Sequence, residues 1–259
     1  LGVEIAAVID SRPEAPKSNS FEVLSASEVV NTHGRLGLNS IDVKTPQGLR
    51  QIQVSGLGVS GGWNPNIHLT CHQRGRPQWD AALSAFIPSA ELPDGLHVAG
   101  AANGQMTTAA AIDDAVKKAA KITKGFGRKP TMLTKLKISD ESTSITPFWY
   151  VTGTERGWVD QQNDVTVKDI KLAHQENFRS VEHLKRYTTL GMATDQGKTS
   201  NVLGLAIMAH TAGQSIPDTG TTIYRPPYSP SAIGVFAGRS RDMDFRPIRK
   251  TPSHKWAEE

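Results

Sequence analysis

The sequence predicts an α/β fold in which alternating strands and helices give way, after about residue 138, to a small and mainly helical module. Three observations carry this. A short apolar run, LHVA (96–99), leads through Gly100-Ala101-Ala102-Asn103-Gly104 into the alanine-rich stretch AAAIDDAVKKAAKI (109–122). A polar segment, SDESTSIT (139–146), interrupts that pattern and has the composition of a linker. Beyond it, Thr166, Ser180 and Asn201 each open a run with apolar residues at helical spacing.

Taken in order, EIAAVI (4–9) is an apolar run ending at Asp10, the form of a parallel strand at its carboxyl end. A strand so near residue 1 reads as a domain joined part-way along. Residues 21–30 have mixed periodicity and precede a turn at His33-Gly34. IDV (41–43) and RQIQV (50–54) alternate as hairpin strands around Pro46-Gln47-Gly48, and 58–62 is a glycine-rich bend. LHVA (96–99) is expected as a further strand. The helix from Thr107 has acids early and lysines late, in keeping with the helix dipole, and 125–130 (GFGRKP) ends it. Thr166 with Asp169 three residues on forms a capping box, opening a helix that runs to about Glu176. Ser180 caps a second helix carrying Val181, Leu184 and Tyr187. A third runs from about Asn201 to His210 and ends near Gly213. The last segment, with RPPYSP (225–230) and FRPIRKTP (245–252), looks like the start of another domain.

Composition narrows the function classes. At 259 residues, 37% hydrophobic and 21% charged, the chain is an ordinary globular one, and disorder is not indicated. No apolar run reaches the roughly 18 residues of a membrane span, and LGVEIAAVID lacks the marks of a secretory leader. A net charge of +4 is too small to argue for nucleic acid. The basic residues Lys117, Lys118, Lys121, Lys124, Arg128, Lys129, Lys135 and Lys137 read as a solvated helix face running into a linker rather than a phosphate-binding surface. The single cysteine, Cys71, excludes an intrachain disulfide and a cysteine-ligated cluster, and fits a reducing cytoplasm.

VAGAANG (98–104) before a helix is the strongest physical signal for a cofactor. Small residues let a phosphate or ribose approach the backbone, and a helix amino terminus offers unpaired N–H groups. GxGxxG is absent, so at most half of a nucleotide site is expected. His68, Cys71 and His72 in NIHLTCH have a spacing that could serve zinc, but no fourth ligand or orienting carboxylate lies nearby, and a buried turn is the favoured reading. His183 is expected on an exposed helix face. No metal site and no catalytic residue are assigned.

Several strings resemble the alpha subunit of heterotetrameric sarcosine oxidase: SGGWNPNIHL (60–69), QWDAALSAFIP (78–88), VAGAANG (98–104), QNDVTVKDI (162–170), SVEHLKRYTTLGMATDQGKTSN (180–201) and GTTIYRPPYSP (220–230). The resemblance implies three parts: 1–138, the C-terminal part of a Rossmann-like FAD/NAD(P)-binding oxidoreductase domain; 146–218, a small helical bacterioferritin-associated-ferredoxin-like module; and 219–259, the start of a folate-binding aminomethyltransferase-like domain. It implies oxidative demethylation of sarcosine to glycine, with hydrogen peroxide formed and the one-carbon unit passed to tetrahydrofolate. It implies NAD in this subunit, touched by Gly100, Ala101, Met106 and Thr108, with FAD and FMN elsewhere in the complex. Beta, gamma and delta subunits are the implied partners. The family more often has leucine where Met106 stands. Related alpha subunits of N-methylglutamate, proline or opine dehydrogenases are the alternative, as is a non-catalytic scaffold derived from one. In cluster-bearing relatives four cysteines ligate iron and sulfur; the matching positions here are Asp160, Gln162, Asp195 and Ser200, which are poor ligands for such iron. The module is therefore expected to lack an iron–sulfur cluster, with Asp195, Gln196 and Ser200 holding its loops together by hydrogen bonds.

Overall fold

The computed structural model describes residues 2–131, 138–140, 142–143, 145–153, 156–226, 228–239 and 248–258. Lys135 and Lys137 of the basic stretch, parts of the 139–146 linker and part of FRPIRKTP lie outside the described residues. The described chain is mixed α/β, with short sheets first and helices clustered later.

Strands β1 (Val8–Ile9) and β2 (Val23–Leu24) form a parallel pair. β3 (Glu28–His33), β4 (Ser40–Thr45) and β5 (Gly48–Gln53) form an antiparallel sheet in sequence order, with a register shift between Val29 and Asn31. The β4–β5 turn falls at the proline-glutamine-glycine site: the Thr45 hydroxyl accepts the Gln47 N–H at 3.2 Å and donates to the Gly48 carbonyl at 2.9 Å. Ile41, Val43 and Ile52 face inward on alternate positions and pack against Ile9 and Leu24, which fastens the parallel pair to the sheet.

Two sequence expectations change here. The strand expected over 4–9 shortens to Val8–Ile9, because only those two residues find a ladder partner, in β2. Residues 96–99 form no strand. Ala99 is extended (φ −141°, ψ 161°), but no neighbouring strand pairs with it among the described residues, and extended backbone without a ladder is loop. No continuous parallel sheet forms among the described residues; β1–β2 is the one parallel pair.

A short helix α1 (His68–Cys71) precedes the hairpin β6 (Gln78–Asp80) and β7 (Ala85–Ile87). α2 (Thr108–Gly125) starts where expected: the Thr107 hydroxyl caps it by accepting the Ala110 N–H at 3.1 Å. None of its residues is fully buried.

The hairpin β8 (Trp158–Asp160) and β9 (Val165–Thr166) leads directly into α3 (Val167–Gln175). The capping box is present in full. The Thr166 hydroxyl accepts the Asp169 N–H, and the Asp169 carboxylate accepts the Thr166 N–H at 2.7 Å. α4 (Val181–Thr188) is capped by Ser180. α5 (Asn201–Ala212) buries every residue from Gly204 to Ala209, as a helix apolar on all sides must, and stops at Gly213 in the left-handed region. α6 (Ile216–Thr219), α7 (Ile233–Ala237) and α8 (His254–Glu258) are short. The module's core is Val159, Val165, Val167, Ile170, Ala173, Leu184, Leu190, Ile207 and Met208. Gly204 is required in it: a Cβ there would lie 2.5 Å from Leu190 Cδ2.

A third apolar cluster joins the early hairpin to this module. Ile67, Phe86 and Leu205 are its buried members, with Trp79, Val181, Ile216 and Tyr224 packed around them. Residues on either side of the 139–146 break are thus in contact through one apolar seam.

Candidate functional site

The glycine loop ahead of α2 is held from behind by a carboxylate. Asp114, on the second turn of α2, accepts the Gly100 N–H at 3.0 Å and the Asn103 side-chain amide at 3.2 Å. Gly100 and Gly104 both have positive φ (67° and 79°), and the loop between them is a single 3-10 turn. A Cβ at Gly104 would press to 3.1 Å against Ile87 and Leu83, so glycine also permits the loop to sit on the β6–β7 hairpin.

Of the four sequence-assigned positions here, Ala101 and Thr108 are exposed, while Gly100 and Met106 are partly buried. They share one short loop and the first turn of α2. The amino terminus of α2 is well supplied with protein acceptors. Ala109 N–H points to the Asp140 carboxylate at 3.3 Å, Ala110 N–H to the Thr107 hydroxyl, and Ala111 N–H to the Thr107 carbonyl at 2.9 Å. With Asp140 standing there, the helix end presents negative charge, which disfavours a phosphate at that end.

The helical module contains a second polar centre. Asp160 is only 2% exposed, at the end of β8. Its Oδ1 accepts the backbone N–H groups of Gln162 (2.9 Å) and Asn163 (3.1 Å). Its Oδ2 accepts the Asn163 amide (3.0 Å), the Gly191 N–H (2.8 Å) and the Ser200 hydroxyl (3.4 Å). Burial is the largest influence on this carboxyl and pushes its pKa up, but the hydrogen bonds from Asn163, Gly191 and Gln162 together bring it below the ordinary aspartate value. Asp160 is a buried anion neutralised by donors rather than by a cation.

The four positions that the resemblance matches to ligand cysteines, Asp160, Gln162, Asp195 and Ser200, are linked in pairs. Ser200 meets Asp160, and the Gln162 side-chain carbonyl accepts the Asp195 N–H at 3.1 Å. The sequence reading gave the loop-holding role to Asp195, Gln196 and Ser200. Ser200 has it. Asp195 contributes its N–H rather than its carboxylate, and Gln196 contributes its carbonyl, which accepts the Asn201 amide at 3.1 Å. Asp160 is the hub that reading missed. The signal was the string D-x-Q-N at 160–163, an Asx turn in which the side chain gathers the next N–H groups.

Around NIHLTCH the three side chains separate. Cys71 is buried, its thiol directed at the Ile67 carbonyl (3.7 Å), and burial raises its pKa. His68 stacks on Tyr228 (ring centroids 4.2 Å apart, planes 15° apart), while His72 is exposed. Lys198 Nζ sits over the same Tyr228 ring at 4.1 Å and donates to the Tyr228 carbonyl at 2.7 Å. His68, Lys198 and Tyr228 belong to three of the quoted strings, which therefore converge in space. His183 lies exposed on α4. Among the described residues no group of three or more metal-ligating side chains forms, and no helix is long and apolar enough to cross a membrane.

Residues 154–239 match the family described as the sarcosine oxidase A3 domain. The chain is 38% identical over 261 residues to the sarcosine oxidase subunit alpha of Rhizobium meliloti (strain 1021), covering 99% of this chain and 26% of that protein. It is 38% identical over 211 residues to the corresponding subunit of Corynebacterium sp. (strain P-1), covering 77% and 22%. With that of Corynebacterium sp. (strain U-96) the identity is 32% over 275 residues, covering 97% and 28%. The chain thus spans about a quarter of the length of the curated relatives it matches. Its backbone is similar to the crystal structure of L-proline dehydrogenase from P. horikoshii, with a TM-score of 0.62 at 15% identity over 90% of this chain and 50% of that one, a likeness of fold. On nearly its full length, the chain belongs to the sarcosine oxidase alpha-subunit family.

Proposed function

We propose that this chain is the part of a sarcosine oxidase alpha subunit that carries a nucleoside-contacting loop and a cluster-free assembly module. The enzyme it serves would be an oxidoreductase that demethylates sarcosine to glycine, forms hydrogen peroxide and passes the one-carbon unit to tetrahydrofolate. The observation that carries the reading is the Asp160 centre. Its carboxylate oxygens accept five hydrogen bonds at the positions where related modules hold iron. An anion so engaged has no lone pair to offer a metal, and oxygen and amide donors suit soft iron poorly. Electron flow through this module by an iron–sulfur cluster is therefore disfavoured, in keeping with the oxidase branch rather than the opine dehydrogenase branch.

In this reading residues 1–138 complete a Rossmann-like FAD/NAD(P)-binding domain, residues 146–218 are a ferredoxin-like scaffold, and residues 219–259 begin the folate-binding domain. The parallel β1–β2 pair supports the first of these. NAD would lie along Ala101, Met106 and Thr108, with Gly100 giving close approach. NAD bound there would bring a hydride-accepting nicotinamide. The chain's own part is positional: Asp114 fixes the loop, and Asp140 keeps the pyrophosphate off the α2 terminus. FAD and FMN would sit outside these residues. The exposed side chains of Trp63, Leu69, Ile233, Val235 and Phe236, the last 73% exposed, support contacts with beta, gamma and delta subunits or with the rest of the alpha subunit.

The test is cofactor release from the full-length protein purified with its co-expressed partners. NAD, FAD and FMN without iron, together with sarcosine-dependent peroxide formation, are the expected result. Iron and sulfide in step with the alpha subunit would overturn the cluster-free reading. FAD replacing NAD, with Ala101→Arg leaving nucleotide content unchanged, would overturn the loop assignment. Turnover of proline, N-methylglutamate or an opine instead of sarcosine would move the chain to the related dehydrogenases.

A further inference from the structure

Lys185 stands in the last turn of α4, half-buried, and makes no hydrogen bond or ion pair with any described residue. Its charged neighbours are one acid and two cations. Among the described residues Glu182 is the one acid acting on it and the largest charged influence, but that carboxylate is already bound to Arg186 at 3.0 Å. Arg225 and Arg186 add repulsion. Burial is the main influence and, with those two cations, it holds the Lys185 pKa below the ordinary lysine value. A partly desolvated ammonium is costly, and here three cations, Lys185, Arg186 and Arg225, share the single carboxylate of Glu182.

The same lysine lines a cavity of about 10 Å³, room for one water-sized group. Leu184 and Leu205, both buried, make its apolar floor, and Asn201, Thr221 and Thr222 complete the polar side. The Asn201 amide is committed to the Gln196 carbonyl, and the Thr221 hydroxyl turns to the Thr222 carbonyl at 3.4 Å. The Thr222 hydroxyl has no partner among the described residues, so it and Lys185 are the wholly unpartnered donors of the lining.

We propose that this cavity is an oxyanion site, receiving one oxygen of a phosphate or carboxylate group on Lys185 and Thr222, with Arg225 attracting the anion from outside. Its dimensions admit one oxygen and leave the rest of the anion at the opening. The shared chemistry of the two ligand classes is a compact negative oxygen that restores charge balance at Lys185. The cavity shares no residue with the glycine loop, adjoins the Asp160 centre through Leu190 and Asn201, next to Gly191 and Ser200, and goes beyond the functional reading above.

The experiment is a thermal-shift titration of the full-length protein with inorganic phosphate and, in a second arm, acetate. Ionic strength is held constant with chloride throughout. A saturable rise in Tm with either anion is expected, and the arm that responds identifies phosphate or carboxylate as the source. Lys185→Met should abolish the saturable component. Arg225→Gln, at an exposed position, should weaken the half-saturating concentration by about tenfold, the scale of one charge-assisted contact. Should Lys185→Met fail to fold, the Arg225→Gln titration decides alone. Shifts no larger than those in chloride, or a saturable response unchanged in the variants, would overturn the proposal.

Discussion

The Gly191 N–H donates to Asp160 Oδ2 at 2.8 Å, joining the β8–β9 turn to the loop that leads into α5. The bond matters because both groups are buried and sit 31 residues apart in sequence. The same oxygen also receives Ser200, so one carboxylate ties the end of β8 to the loops on either side of Gly191 and Ser200. Removing it strands the buried donors of Gly191 and Ser200.

Asp160→Ala is therefore expected to destabilise the protein by about 3 kcal/mol or more, given roughly 1–3 kcal/mol for each buried donor left unpaired. Asp195→Ala is the matched control. Its N–H, not its carboxylate, bonds Gln162, and a change within about 0.5 kcal/mol is expected, as for substitutions away from such networks. Denaturant unfolding of both variants checks this. Equal effects at the two positions would show that the hub is misassigned.

Acid should act through the same group. Asp160 has a folded-state pKa below its ordinary value, so the folded state favours the ionised form. Its contribution is present above the ordinary aspartate pKa of about 3.9 and is lost as pH falls through the lower, folded-state value. Asp10, held down first by its side-chain hydrogen bonds with Arg12, and Asp42, held down first by His33, act in the same direction on the β-sheet side. Stability measured from pH 6 downward should fall below about pH 4, and more shallowly in Asp160→Asn than in the parent. Parallel curves would remove Asp160 from the account.

Legibility in the sequence followed how local each cause is. The starts of α2, α3 and α4 could be read because Thr107, Thr166 and Ser180 cap helices within their own four residues. The β4–β5 hairpin could be read because proline and glycine mark its turn. LHVA at 96–99 misled because strand character needs a partner elsewhere in the chain, and composition does not report one. The hairpins β6–β7 and β8–β9 went unread for a different reason. Each turns on an aspartate whose side chain replaces a glycine signal: Asp80 Oδ1 accepts the N–H groups of Ala82 and Leu83, as Asp160 Oδ1 accepts those of Gln162 and Asn163. Ser84 and Asp164 then take positive φ without being glycine. At the site, the glycine loop could be read, but its support from Asp114 and the Asp140 cap depend on tertiary placement.

Glycine substitutions separate steric need from conformational need. Gly197 has φ +71°, and a Cβ there would fall 2.1 Å from Asn201 Cγ, so Gly197→Ala forces the loop off the start of α5. Gly213 has φ +65° with nothing within 4 Å of its Cβ direction. Gly213→Ala should cost about 1 kcal/mol for the left-handed backbone alone. Gly197→Ala should cost about 1–3 kcal/mol more, the scale of overpacking. Comparable losses on thermal unfolding would mean that Asn201 simply moves aside.

Tyr224 offers a spectroscopic check on the seam between the early hairpin and the helical module. Burial, with smaller contributions from Tyr228 and Cys71, pushes its pKa up to about 12. Its ring packs against the cluster of Ile67, Phe86 and Leu205 and meets the Tyr228 ring edge-on at 5.0 Å. The folded state thus keeps a proton that the unfolded chain gives up near pH 10, and stability must fall as pH rises from about 10 towards 12. Ultraviolet titration of the full-length protein, minus that of Tyr224→Phe, should isolate one phenol ionising about two pH units late. Leu205→Ala opens the seam from the α5 side and should bring that ionisation back towards pH 10, while lowering stability by about 2–5 kcal/mol. A difference spectrum centred near pH 10 in the parent would mean that the ring is wet and the seam open in solution.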